Sequence, residues 1–286
     1  MTGLQNLSAC LVSKHNKIEY IETALKRAFA WQLNGSNRFD TDMLGTFSGE
    51  SERTLSPIDC AIYKANKALK LSGNDIGLGS EGSFNPDGYG VMTVNQELLA
   101  CVHREKGLLA VGQAIRPVHV RTWTIELSDA AKVEEIIEAL PDNQALIMRT
   151  VDVADENTAV QYGETFKGLL SEEQIHTAYA ALCGAKSSLK IEICYDLRAM
   201  FCPERQVTIG LAAKNLVERL LSVCPHCNTI DFYAEIRLSG LPCETCGLPT
   251  TMTKAFKAKC NECEFESVNP VEQQFAETVN CSFCNP

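Results

Sequence analysis

The C-terminal stretch from residue 224 to residue 284 contains four short cysteine pairs, CPHC (224–227), CETC (243–246), CNEC (260–263) and CSFC (281–284). Two thiolates separated by two residues can bind one side of a tetrahedral metal ion from a tight turn, and a second such turn completes the coordination. The pairs therefore predict two zinc sites, whose ligands are Cys224, Cys227, Cys243, Cys246, Cys260, Cys263, Cys281 and Cys284.

The order of the pairs leaves three ways to combine them. Successive pairs are separated by 15, 13 and 17 residues, and each of these gaps is typical of a zinc ribbon. We favour the sequential arrangement, which joins the first pair to the second and the third to the fourth. The alternatives are a nested arrangement, which joins CETC to CNEC, and a crossed arrangement like that of a RING finger.

The predicted zinc ions are structural. Four sulfur ligands leave no open position for catalysis, and the tail is too short to build a large apolar core, so the metal would supply its folding free energy. Disulfides are the alternative, which we disfavour because the sequence begins without a secretory signal pattern. The strip KAFKAK (254–259) is read as a hairpin strand first and as a nucleic-acid contact second.

Composition indicates an acidic cytoplasmic protein. The chain has 286 residues, 45% of them hydrophobic, and a formal net charge of -10. This charge argues against broad binding to nucleic acid, which needs clustered Lys and Arg. No segment approaches the roughly 20 apolar residues of a membrane span, so we expect no membrane partner. A small anionic ligand is compatible with this charge where cations gather locally.

The sequence before the cysteine pairs alternates strand and helix patterns, which predicts the α/β class. LSACLVS (7–13) has the pattern of a strand, and an amphipathic helix follows it. A second helix has Ser56 as its N-cap and a buried stripe of Ile58, Ile62, Ala65 and Leu69. We expect a polar loop at 34–54.

These patterns define the expected architecture. We predict a three-layer mixed-sheet domain over 1–222, with a possible subdivision near residue 125, followed by a small C-terminal double zinc-ribbon module over 223–286.

Residues 77–82, GLGSEG, have the spelling of a dinucleotide-binding loop but not its context. Such a loop leaves an apolar strand and enters a helix, whereas SFNPDGYG follows here and Pro86 excludes a helix. The remaining candidate is the carboxylate of Glu81, whose small neighbours would let a metal ion or a triphosphate approach the backbone.

Three segments together resemble the inosine/xanthosine triphosphate pyrophosphatase superfamily over about the first 125 residues. They are Ser13-Lys14-His15-Asn16-Lys17, the helix segment Asp59–Ala65 and the segment Gly79–Ser83. One departure is Cys60, which stands where that superfamily usually has Asn.

The resemblance implies a Mg²⁺-dependent nucleotide hydrolase. Asp59 and Glu81 would hold Mg²⁺ and orient a water molecule. Lys17 and Lys64 would neutralise phosphate oxygens, and the Ser13 hydroxyl would donate to one of them. Asp59 has a structural alternative as a helix-capping residue.

A further group of charges lies in DLRAMFCPER (196–205). Asp196, Arg198 and Arg205 gather at a strand-to-helix junction, where anions often bind, so they are candidate substrate-binding residues. A simple Asp-Arg pair at a strand end is the alternative.

Nearly the full length resembles a bacterial protein family described as a domain of unknown function, on the segments FDTDMLGTFSGE, SEGSF, DLRAMFCPER and the cysteine-rich tail. The leading hypothesis is a metal-dependent nucleoside triphosphate pyrophosphatase with structural zinc ribbons. The rival hypothesis is a non-enzymatic protein whose ribbons bind a protein or nucleic acid while the α/β part senses a ligand.

Overall fold

The computed structural model describes residues 3–13, 17–39, 55–152, 161–184 and 190–286. The first group of elements comprises β1 (Ser8–Val12), α1 (Ile18–Phe29), β2 (Gln32–Ser36), α2 (Pro57–Ser72), β3 (Ile76–Pro86), β4 (Thr93–His103) and β5 (Gly107–Val118). The second comprises β6 (Thr122–Glu126), α3 (Ala130–Glu138), β7 (Leu146–Asp152), β8 (Gln161–Leu169), α4 (Glu172–Cys183), β9 (Lys190–Tyr195) and α5 (Pro203–Leu221). The cysteine-rich part contains β10 (Ile236–Ser239), β11 (Thr253–Lys259) and β12 (Glu266–Pro270).

The first sheet has the strand order β2-β1-β3-β4-β5. Strand β1 is parallel to both of its neighbours, while β3, β4 and β5 form an antiparallel meander. The chain passes from β1 through α1 to β2, and then through α2 to β3 on the other side of β1. The carboxyl end of β1, beside the middle of β3, is therefore a topological switch point, where ligands commonly bind in α/β sheets.

Helices cover both faces of this sheet, which confirms the three-layer α/β prediction. Apolar side chains of α1 and α5 pack with Leu11, Leu78 and Leu99 on one face. On the other face, α2 packs against Leu98 and Ala100. Helix α5 follows the second sheet in the sequence, yet it packs on the first sheet. The three layers around the first sheet are therefore complete only when the chain has reached α5.

The second sheet is antiparallel, with the order β6-β9-β7-β8. Helices α3 and α4 supply Val133, Ile136, Ile175 and Leu182 to its core. This sheet begins at Thr122, close to the subdivision expected near residue 125. Its strands are inserted between β5 and α5, so the two parts are interleaved along the chain.

Helix α2 begins at its predicted N-cap, and two of the four residues of its predicted stripe, Ala65 and Leu69, are buried. The Ser56 side chain accepts from the backbone N–H of Asp59, and Gly73 ends the helix at φ +73°. Ile58, however, is 49% exposed, and the buried face is formed by Cys60, Ala61, Lys64, Ala65, Ala68 and Leu69. The stripe prediction is therefore confirmed for Ala65 and Leu69 and wrong for Ile58, because α2 packs on the sheet mainly through small side chains.

Strands β2, β6 and β8 were not predicted. Each lies at the edge of its sheet and carries a largely polar sequence, such as QLNGS in β2. Edge strands have fewer buried positions, so their hydrophobic pattern is weak. The predicted loop at 34–54 therefore begins within β2, and residues 40–54 lie outside the described part of the chain.

The cysteine-rich part forms an antiparallel sheet of order β10-β11-β12. The strip 254–259 lies within β11, which confirms its prediction as a hairpin strand. In the residues described, no helix combines the length and apolar character needed to cross a membrane.

Candidate functional site

The eight paired cysteines form two clusters of four sulfur atoms. Cys224, Cys227, Cys260 and Cys263 make one cluster, and the other contains Cys243, Cys246, Cys281 and Cys284. Within the first cluster, Sγ–Sγ distances are 3.6 Å between Cys224 and Cys263 and 3.5 Å between Cys227 and Cys260. A tetrahedral zinc ion with Zn–S bonds of 2.3 Å separates its sulfur ligands by about 3.8 Å. The donor sets therefore fit two zinc ions.

The pairing is crossed, and the preferred sequential arrangement was wrong. The antiparallel order of the small sheet explains the difference. Ile236 at the start of β10 pairs with Lys257 near the end of β11. The first cysteine pair precedes β10 and the third pair follows β11, so these two pairs lie at the same end of the sheet. Ser239 pairs with Thr253, and Pro270 with Ala255, at the opposite end, to which the second and fourth pairs belong.

Each cysteine pair lies in the same type of tight turn. The carbonyl of the first cysteine accepts from the N–H four residues later, as in Asn228 to Cys224 at 2.8 Å and Gly247 to Cys243 at 2.9 Å. Asn228 and Gly247 have φ of 62° and 74°, a region in which Asn and Gly are favoured. These local turns bring both sulfur atoms of a pair to one side of the metal position.

A separate buried network lies midway along β3, just beyond the end of β1, on the face covered by α1 and α5. Lys17 Nζ donates to Ser80 Oγ at 3.0 Å and to Glu97 Oε2 at 3.2 Å. Arg205 Nε donates to Glu97 Oε1 at 2.6 Å, and Asn95 Nδ2 donates to the same oxygen at 3.2 Å. The network joins the start of α1, the first turn of α5 and β4.

Electrostatics in this network perturbs both Lys17 and Glu97. Burial disfavours the ammonium and lowers the pKa of Lys17 to about 8, although Glu97 opposes the shift. For Glu97, burial acts to raise the pKa, but the charges of Arg205 and Lys17 outweigh it and hold the pKa below its usual value. The Glu97 carboxylate is therefore ionised at neutral pH, and Lys17 loses its proton at a lower pH than an exposed lysine does.

A second group of contacts lies on the opposite face of β3, beneath α2. Glu81 Oε2 accepts from Lys64 Nζ in a short ion pair and from the Cys60 thiol at 3.3 Å. Lys64 Nζ is also 3.5 Å from the carbonyl oxygen of Ser80. Lys17 and Lys64 thus reach Ser80 from the two faces of the sheet, immediately beyond the end of β1.

The glycines of GLGSEG provide room for packing rather than for a ligand. A Cβ at Gly77 or Gly79 would lie 2.1 Å or 2.0 Å from a backbone carbonyl oxygen of α2. A Cβ at Gly82 would lie 2.2 Å from Glu97 Oε1 and 2.6 Å from Arg205. The segment is part of an 11-residue strand, and its small residues admit α2 on one face and the buried ion pairs on the other.

The other predicted site residues do not lie together at one site. Asp59 is exposed and bonds to Ser56 at the start of α2, so it is not brought to Glu81. Asp196 pairs with Arg198 and accepts from the N–H of Gly168 at 3.1 Å, as in the alternative of a strand-end pair. Arg205 does not join this pair and donates to Glu97 instead.

Ser13 follows β1 directly, and its N–H donates to Ser36 at the end of β2. Lys14, His15 and Asn16 of the first resembling segment lie outside the described residues.

Sequence reasoning missed Glu97, Asn95 and Cys60. Glu97 and Asn95 are almost completely buried in β4, which is unusual for polar and charged side chains. The available signal was the polar run NQE in a strand whose following residues, LLACV, are apolar. A charged side chain on a face predicted to be buried needs a charged partner, but its identity follows only from the tertiary contacts.

Comparison with protein families gives one match. The family model described as a domain of unknown function (DUF6671) matches residues 64–286. The chain belongs to this family. The match includes Lys64, Glu81, Glu97, Arg205 and all eight zinc-site cysteines, and it begins after Lys17. The comparisons with curated proteins and with solved structures each found no match.

Proposed function

We propose that the region where the end of β1 meets the middle of β3 binds and hydrolyses a phosphorylated compound of the nucleoside triphosphate class, while two zinc ions stabilise the C-terminal module. The observation that carries this proposal is the approach of two buried ammonium groups, Lys17 and Lys64, to Ser80 at a topological switch point. The zinc sites have complete sulfur shells, so they take no part in the chemistry.

Charge balance supports an anionic ligand. In the described part of this cluster, three buried cations, Lys17, Lys64 and Arg205, accompany two buried carboxylates, Glu81 and Glu97. Of these cations, Lys17 lies at the N-terminus of α1, where backbone N–H groups also favour phosphate. A phosphate group would therefore be held by lysine charge and by the α1 terminus.

Of the two carboxylates, Glu81 fits a Mg²⁺-bound phosphate better. Both oxygens of Glu97 accept bonds from Arg205, Asn95 and Lys17, which leaves it committed to the protein. Mg²⁺ usually takes one or two carboxylates and keeps several waters, and it would neutralise phosphate charge when bound. Glu81 would hold that ion or orient the attacking water, and Lys64 would position its carboxylate.

The test is an assay of pyrophosphate release from a panel of nucleoside triphosphates with Mg²⁺. We expect turnover by the wild-type protein and a loss of at least about 100-fold in Glu81→Gln. Glu126→Gln is the matched control, because Glu126 forms an exposed ion pair with Lys190. The absence of turnover on every nucleotide, or turnover that is indifferent to Glu81, would contradict the proposal.

Lys17→Met separates binding from chemistry. We expect weaker binding of a nonhydrolysable triphosphate, measured by calorimetry, because one buried phosphate-neutralising charge is lost. Unchanged affinity would place the ligand elsewhere.

The proposed cytoplasmic location is tested by cell fractionation, in which the protein should remain with cytoplasmic markers.

A second candidate function is partner binding by the zinc module. Phe275 and Phe283 are 51% and 72% exposed, so their aromatic rings are available to contact a partner. Lys257 and Lys259 of β11 form ion pairs with Glu266 and Glu264, so this strip has little free charge for phosphates. A protein partner is therefore favoured over nucleic acid. Salt-dependent binding of single- or double-stranded oligonucleotides that is lost in Lys257→Gln would reverse this preference.

A further inference from the structure

Three buried side chains at the junction of α2 and β3 form a connected set of a thiol, a carboxylate and an ammonium group. The Cys60 thiol donates to Glu81 Oε2 at 3.3 Å, and Lys64 Nζ donates to the same oxygen. A nucleophile within hydrogen-bond reach of a base that a third group orients is the usual arrangement for covalent catalysis. Asp59, which the sequence suggested as Glu81's companion, is replaced in the structure by its neighbour Cys60.

The helix places the thiol where negative charge is stabilised. Cys60 is the fourth residue of α2, so it lies in the first turn, beside the positive end of the helix dipole. Lys64 follows one turn later on the same face and adds a positive charge. Both features would stabilise the negative charge that develops on the sulfur when Glu81 removes its proton.

Close packing of α2 on β3 creates these contacts. Gly79 lacks a Cβ, and any Cβ there would lie 2.4 Å from the N of Ala65 and 2.9 Å from the Cβ of Lys64. The helix can therefore approach the strand closely enough for Glu81, two residues further along the same face, to reach Cys60 and Lys64.

Other buried cysteines have different surroundings. Burial raises the pKa of Cys101 strongly and also raises the pKa of Cys10 and Cys202. These thiols are expected to be inert. The carboxylate base and the lysine distinguish Cys60 from them.

We propose that Cys60 is a catalytic nucleophile for acyl transfer from an ester or amide of a carboxylic acid. Glu81 takes the thiol proton as sulfur attacks the acyl carbon, a thioester forms, and the bond to the alcohol or amine breaks as the leaving group receives that proton. A water molecule, deprotonated by Glu81, then attacks the thioester and releases the carboxylic acid and the free thiol. Lys64 orients Glu81 and stabilises the negative charge on the acyl oxygen. This activity does not depend on the proposed nucleotide hydrolysis.

The experiment uses p-nitrophenyl acetate with the zinc-loaded full chain and no nucleotide. We expect release of p-nitrophenol and an acetyl thioester on the peptide that contains Cys60, detected by mass spectrometry after acid quenching. Cys60→Ser should abolish this adduct, and Glu81→Gln should slow its formation by about 100-fold or more. Cys183→Ser is the matched control, because Cys183 is an exposed thiol outside the set.

A second measurement distinguishes the loss of Cys60 reactivity from the loss of the folded structure. The rate of alkylation by iodoacetamide at Cys60 should exceed that at Cys101 in the wild-type protein and should fall in Glu81→Gln, with circular dichroism unchanged. Acetylation at Cys183 alone, or equal rates in wild type and Glu81→Gln, would overturn the proposal. Because no nucleotide is present, failure here leaves the nucleotide hypothesis standing, and failure of the nucleotide panel leaves this one standing.

Discussion

The Glu97 carboxylate accepts bonds from Arg205, Lys17 and Asn95 while it is 1% exposed. Three elements that are distant in sequence therefore meet at one side chain. Removing water from charges is costly, so each member of such a network depends on the others. At the residue scale, Glu97 is the group whose loss should be felt most strongly.

We expect Glu97→Gln to lower the free energy of unfolding by about 3–5 kcal/mol, because Lys17 and Arg205 would remain buried without their counter-charge. Urea denaturation followed by circular dichroism measures this loss. Glu126→Gln, which breaks an exposed pair, should cost less than about 1 kcal/mol. Similar losses in the two variants would show that the buried network is not a special source of stability.

Lys17 should give a distinct pH dependence of stability. Its pKa of about 8 in the folded protein lies below the ordinary lysine value of 10.5, so between these pH values the unfolded chain binds more protons. The contribution of Lys17 to stability should therefore rise as the pH increases from about 8 toward 10.5. Unfolding free energies of wild type and Lys17→Met, compared from pH 7 to pH 10, measure this difference. A difference that stays constant with pH would contradict it.

At the scale of elements, the pairing of α2 with β3 determines the site. Two small residues of the helix, Ala61 and Ala65, face the glycines of the strand, and this contact positions Cys60 and Lys64 over Glu81. Close packing of this kind leaves no space for added atoms. The glycines of residues 77–82, which suggest a nucleotide-binding loop, are thus required by the packing of α2 on β3.

Gly79→Ala should destabilise the protein by at least about 1–3 kcal/mol, because the new methyl group would overlap backbone atoms of Ala61 and Ala65. The thermal unfolding midpoint is the simplest measurement. Gly88→Ala is the control, since no atom lies within 4 Å of its added Cβ. Equal midpoints for Gly79→Ala and wild type would mean that α2 does not rest on β3 as described.

At the scale of the whole molecule, α5 connects all three sheets. It follows β9 of the second sheet, its first turn supplies Arg205 to the network on the first sheet, and its last turn leads into the zinc module. Near that end, Arg219 donates to Asp231 and Glu235 of the first cysteine turn region, and Tyr233 donates to Glu218. The zinc module is thereby attached to the α/β part by charged contacts as well as by the chain.

The crossed zinc pairing predicts how double variants lose metal. Cys227→Ser with Cys260→Ser removes two ligands of one site, so native mass spectrometry should find about one zinc ion remaining of two. Cys227→Ser with Cys246→Ser damages both sites and should remove both ions. A sequential pairing gives the reverse pattern, so the two double variants decide between the arrangements.

The sequence by itself determined the local features. The Cys-x-x-Cys spacing identified the zinc ligands, since a pair of thiolates in one turn is a short-range property. The N-cap of α2 followed from a single side chain and a neighbouring N–H group. Lys17, Lys64 and Glu81 were also identified as candidate site residues, from a resemblance covering short segments.

Only the tertiary structure decided which of these groups meet. The zinc pairing depends on strand order in the small sheet, which spacing does not encode. Glu97 and Arg205 are 108 residues apart, and Lys17 and Glu97 are 80 apart, so their contacts arise from long-range packing. Asp59 and Cys60 are adjacent in sequence, yet the rotation of α2 on β3 exposes the first and turns the second toward Glu81. Helix rotation and strand order are fixed by burial of the whole core, and this is why they could not be read from local patterns.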